Sequence, residues 1–78
     1  MNDMKEKKIK LMATDEVQEF VNAAEKCDFD IDVRDQRIII DAKSLLGVLG
    51  LGLRKVVTVQ YWGENRDFEN IVRKYAAI

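Results

Sequence analysis

Apolar and polar positions along this 78-residue chain follow two periods, and the points where one gives way to the other mark its elements. From Lys7 to Met12, charged residues alternate with Ile9 and Leu11, the period of two that suits a half-buried strand. Asp15 is followed three residues later by Gln18, the form of a capping box, and Val17, Phe20, Val21 and Ala24 then fall on one helical stripe. Phe29, Ile31 and Val33 alternate with aspartates, Arg34 to Arg37 reads as a polar turn, and Ile38 to Ala42 returns as a second strand. The pair is a hairpin without the Asn-Gly signal. Ser44 is placed to cap a short helix that Gly50 or Gly52 closes, since glycine adopts the left-handed conformation at little steric cost. Val56 to Trp62, rich in β-branched and aromatic residues, is the most strand-like run. Beyond Gly63 a last helix carries Phe68, Ile71, Val72 and Tyr75 at spacings of three and four.

The predicted order is therefore β-α-β-β-α-β-α, an α+β chain. Each helix has one apolar stripe and at least three strands alternate, so a sheet with one face covered by helices is the economical packing. The chain has no proline, no low-complexity segment and no internal repeat, and residues 1–78 are expected to form a single domain with a small core.

Apolar residues at 47% and charged residues at 35% fit a folded globular protein rather than a disordered chain. A formal net charge of -1 predicts no strong attraction to nucleic acid or to an anionic membrane. The Lys5 to Lys10 run, interrupted by Glu6, reads as the solvated face of a strand rather than a nucleic-acid patch. No apolar stretch is long enough to span a bilayer and no signal-peptide pattern opens the chain, so a cytoplasmic location is expected.

The single cysteine, Cys27, can form no internal disulfide, and a chain without histidine has no Cys/His metal cluster, so neither a metal nor another cofactor is expected. Histidine's absence also removes the commonest general base and every Ser-His or Cys-His nucleophile pair, which argues against an enzyme. Cys27 follows Ala24 by three positions, so packing accounts for it; Glu25 and Asp28 are the opposite of the electropositive surroundings that a reactive thiol needs.

The stretch DAKSLLGVLGLGL, residues 41 to 53, is rich in glycine but has neither the spacing of a P-loop nor that of a dinucleotide fingerprint. Read as a short capped helix, it has more apolar side chains than it can bury: Leu45, Leu46, Val48 and Leu49 cannot all face inward. Gly47 costs such a helix about 0.5 to 1 kcal/mol relative to alanine. It either relieves crowding against the sheet or lets a partner approach the backbone. Leu45, Leu46, Gly47 and Leu49 are thus a candidate protein-interaction patch, with Trp62 an additional candidate because tryptophan is enriched at binding hot spots.

The element order, the segment Ala42-Lys43-Ser44-Leu45, the later Leu51-Gly52-Leu53 leading into VVTV, and EFVNAAEKC in the first helix together resemble the HPr family, the histidine-containing phosphocarriers of the bacterial sugar phosphotransferase system. The likeness runs from about Lys7 to the C-terminus. It implies an open-faced two-layer sandwich whose antiparallel sheet has the order 1-4-2-3, with helices on one face. It also implies protein partners from the phosphotransferase system or its regulation. In the family, the loop after the first strand carries a histidine followed by Thr-Arg-Pro, and that histidine accepts and donates phosphate. Here Ala13, Thr14, Asp15 and Glu16 stand at those positions, which makes Ala13 and Asp15 a degenerate phosphocarrier site. Two carboxylates at a helix N-terminus also repel a phosphate that the helix dipole would otherwise favour.

Ser44 matches the serine that a dedicated ATP-dependent kinase phosphorylates in Gram-positive members, and the resemblance makes it the candidate regulatory phosphorylation site. Its role as a helix cap is the simpler account, since only the cap is required by the fold, and one arrangement satisfies both. In the family an arginine supports contacts to the phosphoserine's partner; Asp15 replaces it here. The expectation is a regulatory or protein-binding member that has lost phosphohistidine carrier activity. Two alternatives stay open: a phosphocarrier with an unrecognised acceptor, and a small structural module that pairs with itself through the Leu/Gly helix.

Overall fold

A computed structural model describes residues 3–77, in which seven elements succeed one another as β1 (Lys5–Lys10), α1 (Thr14–Glu25), β2 (Ile31–Asp35), β3 (Ile38–Asp41), α2 (Leu45–Leu51), β4 (Val56–Tyr61) and α3 (Arg66–Lys74). The strands form one antiparallel sheet in the order β1-β4-β2-β3, the order that the resemblance implied. β4 lies between β1 and β2, so Tyr61 sits opposite both Lys5 and Ile31, and Val59 opposite both Lys7 and Val33. Side chains alternate across a strand, and Val57, Val59 and Tyr61 face the helices while Val56, Thr58 and Gln60 form part of the open face.

The core is the meeting of that inner face with three helical stripes. Ile9, Ile31, Val33, Val57, Val59 and Tyr61 come from the sheet; Val17, Phe20, Val21 and Ala24 from α1; Val48 and Leu51 from α2; Phe68 and Val72 from α3. Phe68 holds the layers together: its ring meets Tyr61 edge-on at 5.1 Å and Phe20 at 5.8 Å. The Tyr61 hydroxyl donates to Glu69 Oε1 at 2.8 Å, and Lys5 Nζ lies 3.2 Å from Glu69 Oε2. On the other side Phe29 stacks on Tyr61 at 6.1 Å, and a Cβ at Gly63 would come within 2.4 Å of the Phe29 ring. Gly63 is therefore a position of close approach, where only glycine fits without displacing that ring.

Several element boundaries differ from the sequence pattern. α1 begins at Thr14 with Ala13 as its N-cap, an extended residue that makes no side-chain capping bond, so Asp15 and Gln18 do not form the expected box. The returning bond is made by Glu16, whose Oε1 accepts the Met12 N–H at 2.7 Å. The Glu16 carboxylate, three positions past the cap, thus reaches back over the first turn to the residue before the cap, which is one position beyond the N–H that a capping box would take. Gln18 instead donates to Asn22 Oδ1 at 2.9 Å along the helix surface. β1 ends at Lys10 rather than Met12: the Leu11 side chain is buried, but its carbonyl leaves the ladder to accept the Arg54 N–H at 2.8 Å. β2 starts at Ile31, with Phe29 packed before it. β3 ends at Asp41, and β4 stops at Tyr61 ahead of Trp62. The hairpin turn is two residues, Gln36 and Arg37, with Gln36 at φ 55. Gly52, at φ 101, closes α2, while Gly50 lies within it.

The C-terminal residues finish the sheet. Lys10 donates to the Tyr75 carbonyl at 3.0 Å, Ala77 donates to the Lys8 carbonyl at 2.8 Å, and Ile9 bridges to Ala76. The outer edge of β1 is thereby covered. α3 is tied to α1 at the same end, where Glu19 accepts from the Tyr75 hydroxyl and from Lys74 Nζ at 3.1 Å.

The Tyr75 hydroxyl and the Lys74 ammonium hold the Glu19 carboxyl below the ordinary carboxylate range. Because its folded pKa is depressed, Glu19 adds stability above its unfolded pKa, and that contribution is lost as pH falls through the folded pKa. An NMR titration is expected to place Glu19 below the exposed glutamates, and Tyr75→Phe to return it towards them. An unchanged Glu19 pKa in Tyr75→Phe would show that the bond does not persist in solution.

Candidate functional site

Two short loops meet at the N-terminus of α1. Ala13, at φ -146 and ψ 162, turns its carbonyl into the helix, where it accepts from Glu16 N at 3.1 Å and Val17 N at 3.2 Å. Asp15 and Glu16 occupy the first turn, and Glu16 is held against the Met12 amide. From the other side comes the loop after α2, where Arg54 adopts φ 66 and donates its N–H to Leu11. A left-handed arginine costs about 1 to 2 kcal/mol, which that bond between the loops helps to offset. The sequence gives no sign of Arg54's role, because no neighbouring residue marks it as left-handed.

The chemistry available at this junction is narrow. Ala13 presents only a methyl group at the start of α1, and the titratable side chains of the first turn are the two carboxylates Asp15 and Glu16. Negative charge there complements the positive end of the α1 dipole and opposes the approach of a phosphate. No group of three His, Cys, Asp or Glu residues that could hold a metal ion occurs among the described residues. The Cys27 thiol is buried with its Sγ 3.5 Å from the Ala23 carbonyl, and burial pushes its pKa up, so it is held as a thiol and packs as an apolar group.

α2 presents the second set of expected residues. Ser44 is its N-cap in fact as well as in pattern: Oγ accepts the Gly47 N–H at 3.2 Å, and the Ser44 carbonyl accepts Val48 N–H at 3.0 Å. Ser44 itself is exposed. Lys43 is adjacent in sequence, yet its ammonium turns away to the Cys27 carbonyl at 2.9 Å and ties α2 to the end of α1. Ser44 and Ala13 are consequently not one site. Ser44 starts α2 beside Cys27, past the end of α1, whereas Ala13 caps the start of α1, and it is the exit loop of α2 that returns to Leu11.

The four candidate patch residues divide sharply. Leu46 is 82% exposed, Leu45 and Leu49 are half-buried against the core, and Val48 and Leu51 are inside. At Gly47 a Cβ would lie 2.6 Å from Ile40 Cγ2 and 3.0 Å from Ser44 Oγ, so the missing side chain makes room for β3 and for the cap. Trp62 is exposed beyond Tyr61, at the end of the sheet away from Ala13, and is not brought together with the α1 junction. No helix among the described residues is long and apolar enough to cross a membrane.

Comparison with known proteins matches residues 8–77 to the family described as PTS HPr component phosphorylation site. No curated protein matches the chain. Among solved structures, the chain is similar to the phosphocarrier protein HPr from Bacillus anthracis str. Ames, with a TM-score of 0.73 and 20% identity over 95% of this chain and 99% of that one. It is equally similar to HPr-C-His from Thermoanaerobacter tengcongensis, with a TM-score of 0.73 and 21% identity over 92% of each chain.

Replacing Ser44 by alanine removes the acceptor for Gly47 N–H without disturbing the core. Urea unfolding is expected to show a loss of about 1 kcal/mol. An unchanged stability would mean that the α2 cap contributes nothing in solution.

Proposed function

The chain belongs to the PTS HPr family, and from that premise we propose that it is a member that no longer carries phosphate on histidine and works as a regulatory or protein-binding module. The observation that carries this reading is Ala13: the chain contains no histidine, and a methyl group stands at the start of α1 with Asp15 and Glu16 behind it. A carrier needs a nucleophile that can both take and release a phosphoryl group, and an acyl phosphate on a carboxylate would ask for a metal ion that no acidic cluster among the described residues is arranged to hold. The phosphotransferase system or the proteins that regulate it are the proposed partners, and catalysis of its own is not part of the proposal.

Docking is assigned to α2. Leu45, Leu46, Gly47 and Leu49 form the proposed contact surface, with Leu46 as its centre because an 82% exposed leucine buries apolar area only against another protein. Ser44 is the proposed regulatory position. Its hydroxyl is exposed at the helix start, where a phosphate would face unsatisfied backbone N–H groups, a gain of about 0.3 to 1 kcal/mol. Lys43 adds no charge support, being engaged with Cys27.

Two measurements test this reading. Incubation with phosphoenolpyruvate and the system's phosphoenolpyruvate-dependent enzyme is expected to yield no acid-labile phosphoprotein, whereas ATP and the family's serine kinase are expected to add one phosphate that Ser44→Ala abolishes in the intact mass. An acid-labile product would restore the carrier reading. Separately, Leu46→Asp is expected to weaken binding to that phosphoenolpyruvate-dependent enzyme, titrated by calorimetry, by about tenfold or more. The same variant should shift unfolding stability by no more than about 0.5 kcal/mol. Equal binding by both proteins would remove α2 from the interface.

A further inference from the structure

The two edges of the sheet are treated differently. β1 contains Lys5, Lys7, Lys8 and Lys10, and its outer side is paired with the C-terminal residues. Both features are ways of preventing another strand from adding on. β3 has neither. It pairs with β2 on one side only, contains no lysine or proline, and leaves Ile38 and Ile39 53% and 52% exposed.

Its free polar groups have a fixed phase. Ala42 N–H donates to the Ile31 carbonyl at 2.8 Å, and in an antiparallel ladder residues two apart aim their backbone groups the same way. Ile40 and Ile38 therefore bond towards β2, while the N–H groups of Ile39 and Asp41 and the Ile39 carbonyl point outwards. The charges flanking the strand are of opposite sign: Arg37 precedes the three isoleucines and Asp41 follows them. Run antiparallel against itself, Arg-Ile-Ile-Ile-Asp is its own complement.

We propose that β3 pairs antiparallel with β3 of a second copy of this chain, about a two-fold axis at Ile39, so that two sheets become one. Ile39 then meets Ile39 as a hydrogen-bonded pair, Ile38 meets Ile40, and Arg37 meets Asp41 of the second copy on each side of the axis. The outward phase of Ile39 is the one that this register requires. Charge supports it further. Asp41 sits directly opposite Asp32 within its own sheet, a like-charge pair that disfavours the ladder. Among the described residues neither aspartate, nor Arg37, takes part in an ion pair. Arg37 of the second copy arrives beside that pair and offsets one of its two charges. A register shifted by two residues either way loses the pairing: Asp41 meets Ile39 and Arg37 meets Lys43, or Arg37 meets Ile39 and Asp41 meets Asp35.

Four residues of strand bury far less than the roughly 800 Å² per partner of a stable interface, so the dimer is weak and grows with concentration. Sedimentation equilibrium of the full chain is expected to show a reversible dimer appearing as the concentration rises towards about 1 mM. Ile39→Lys, which sets two like charges on the axis, is expected to abolish it, and Arg37→Asp to weaken it about tenfold. Combining Arg37→Asp with Asp41→Arg exchanges the charges and is expected to restore it. All three positions of change are exposed, and thermal unfolding verifies that each variant is folded before it is weighed. A monomer throughout the range, a dimer that survives Ile39→Lys, or one that the charge exchange fails to restore overturns the proposal.

Discussion

The contacts of Tyr61 hold the fold together. It ends the central strand, so its backbone is paired with β1 on one side and β2 on the other, and its ring lies between Phe29 and Phe68. A fully buried phenol must also satisfy its hydroxyl, and Glu69 of α3 does so while Lys5 of β1 neutralises the same carboxylate. Burial and the neighbouring carboxylate both push the Tyr61 pKa upwards, so the phenol stays protonated and keeps donating. Through this one residue the sheet, the last helix and the loop before β2 take fixed positions, and the core stripes of α1 and α3 close over the sheet.

With that frame fixed, the two ends of α2 become distinct places. Its exit loop is stitched to Leu11 through a left-handed Arg54 and helps to shape the start of α1. Its entry is stitched to Cys27 through Lys43. The residue that starts α1 therefore need not disturb the entry of α2. Ser44 caps its helix by its own hydroxyl, and Leu46 stands in solvent whatever residue occupies position 13. This separation is the physical basis for proposing that docking and regulation persist where phosphohistidine chemistry does not.

Glycine has different work at different positions of the chain. Gly47 lets β3 come close to α2 through Ile40, Gly63 admits the Phe29 ring, and Gly52 supplies the left-handed turn that ends the helix, whereas a Cβ at Gly50 would meet nothing. Of the three glycines in the run from Asp41 to Leu53, only Gly47 is thus a packing device. The same close approach of α2 leaves Ile40 half-buried but Ile38 and Ile39 open, which is what makes the β3 edge apolar and available.

Periodicity alone was sufficient for the number, type and order of elements, because burial on one face imposes a period of two on strands and of three to four on helices. Resemblance added the sheet order, and Ser44 was legible as a cap because serine there has a single strong local role. Boundaries were less legible. Asp15 and Gln18 fit a capping box, yet it is Glu16 that reaches back, to the Met12 N–H, since the start of α1 is set by where Leu11 must leave β1 to meet Arg54. Likewise no local rule separates Leu46 from Leu45 and Leu49, or turns Lys43 away from Ser44. Those outcomes depend on which surface α2 meets, and that is fixed only when β3, α1 and the loop from β4 are all in place. The sequence by itself determined what each segment is, because secondary structure answers to neighbours a few residues away. Only the tertiary structure decided which apolar groups remain uncovered and which strand edge stays open, because those depend on residues brought together from opposite ends of the chain.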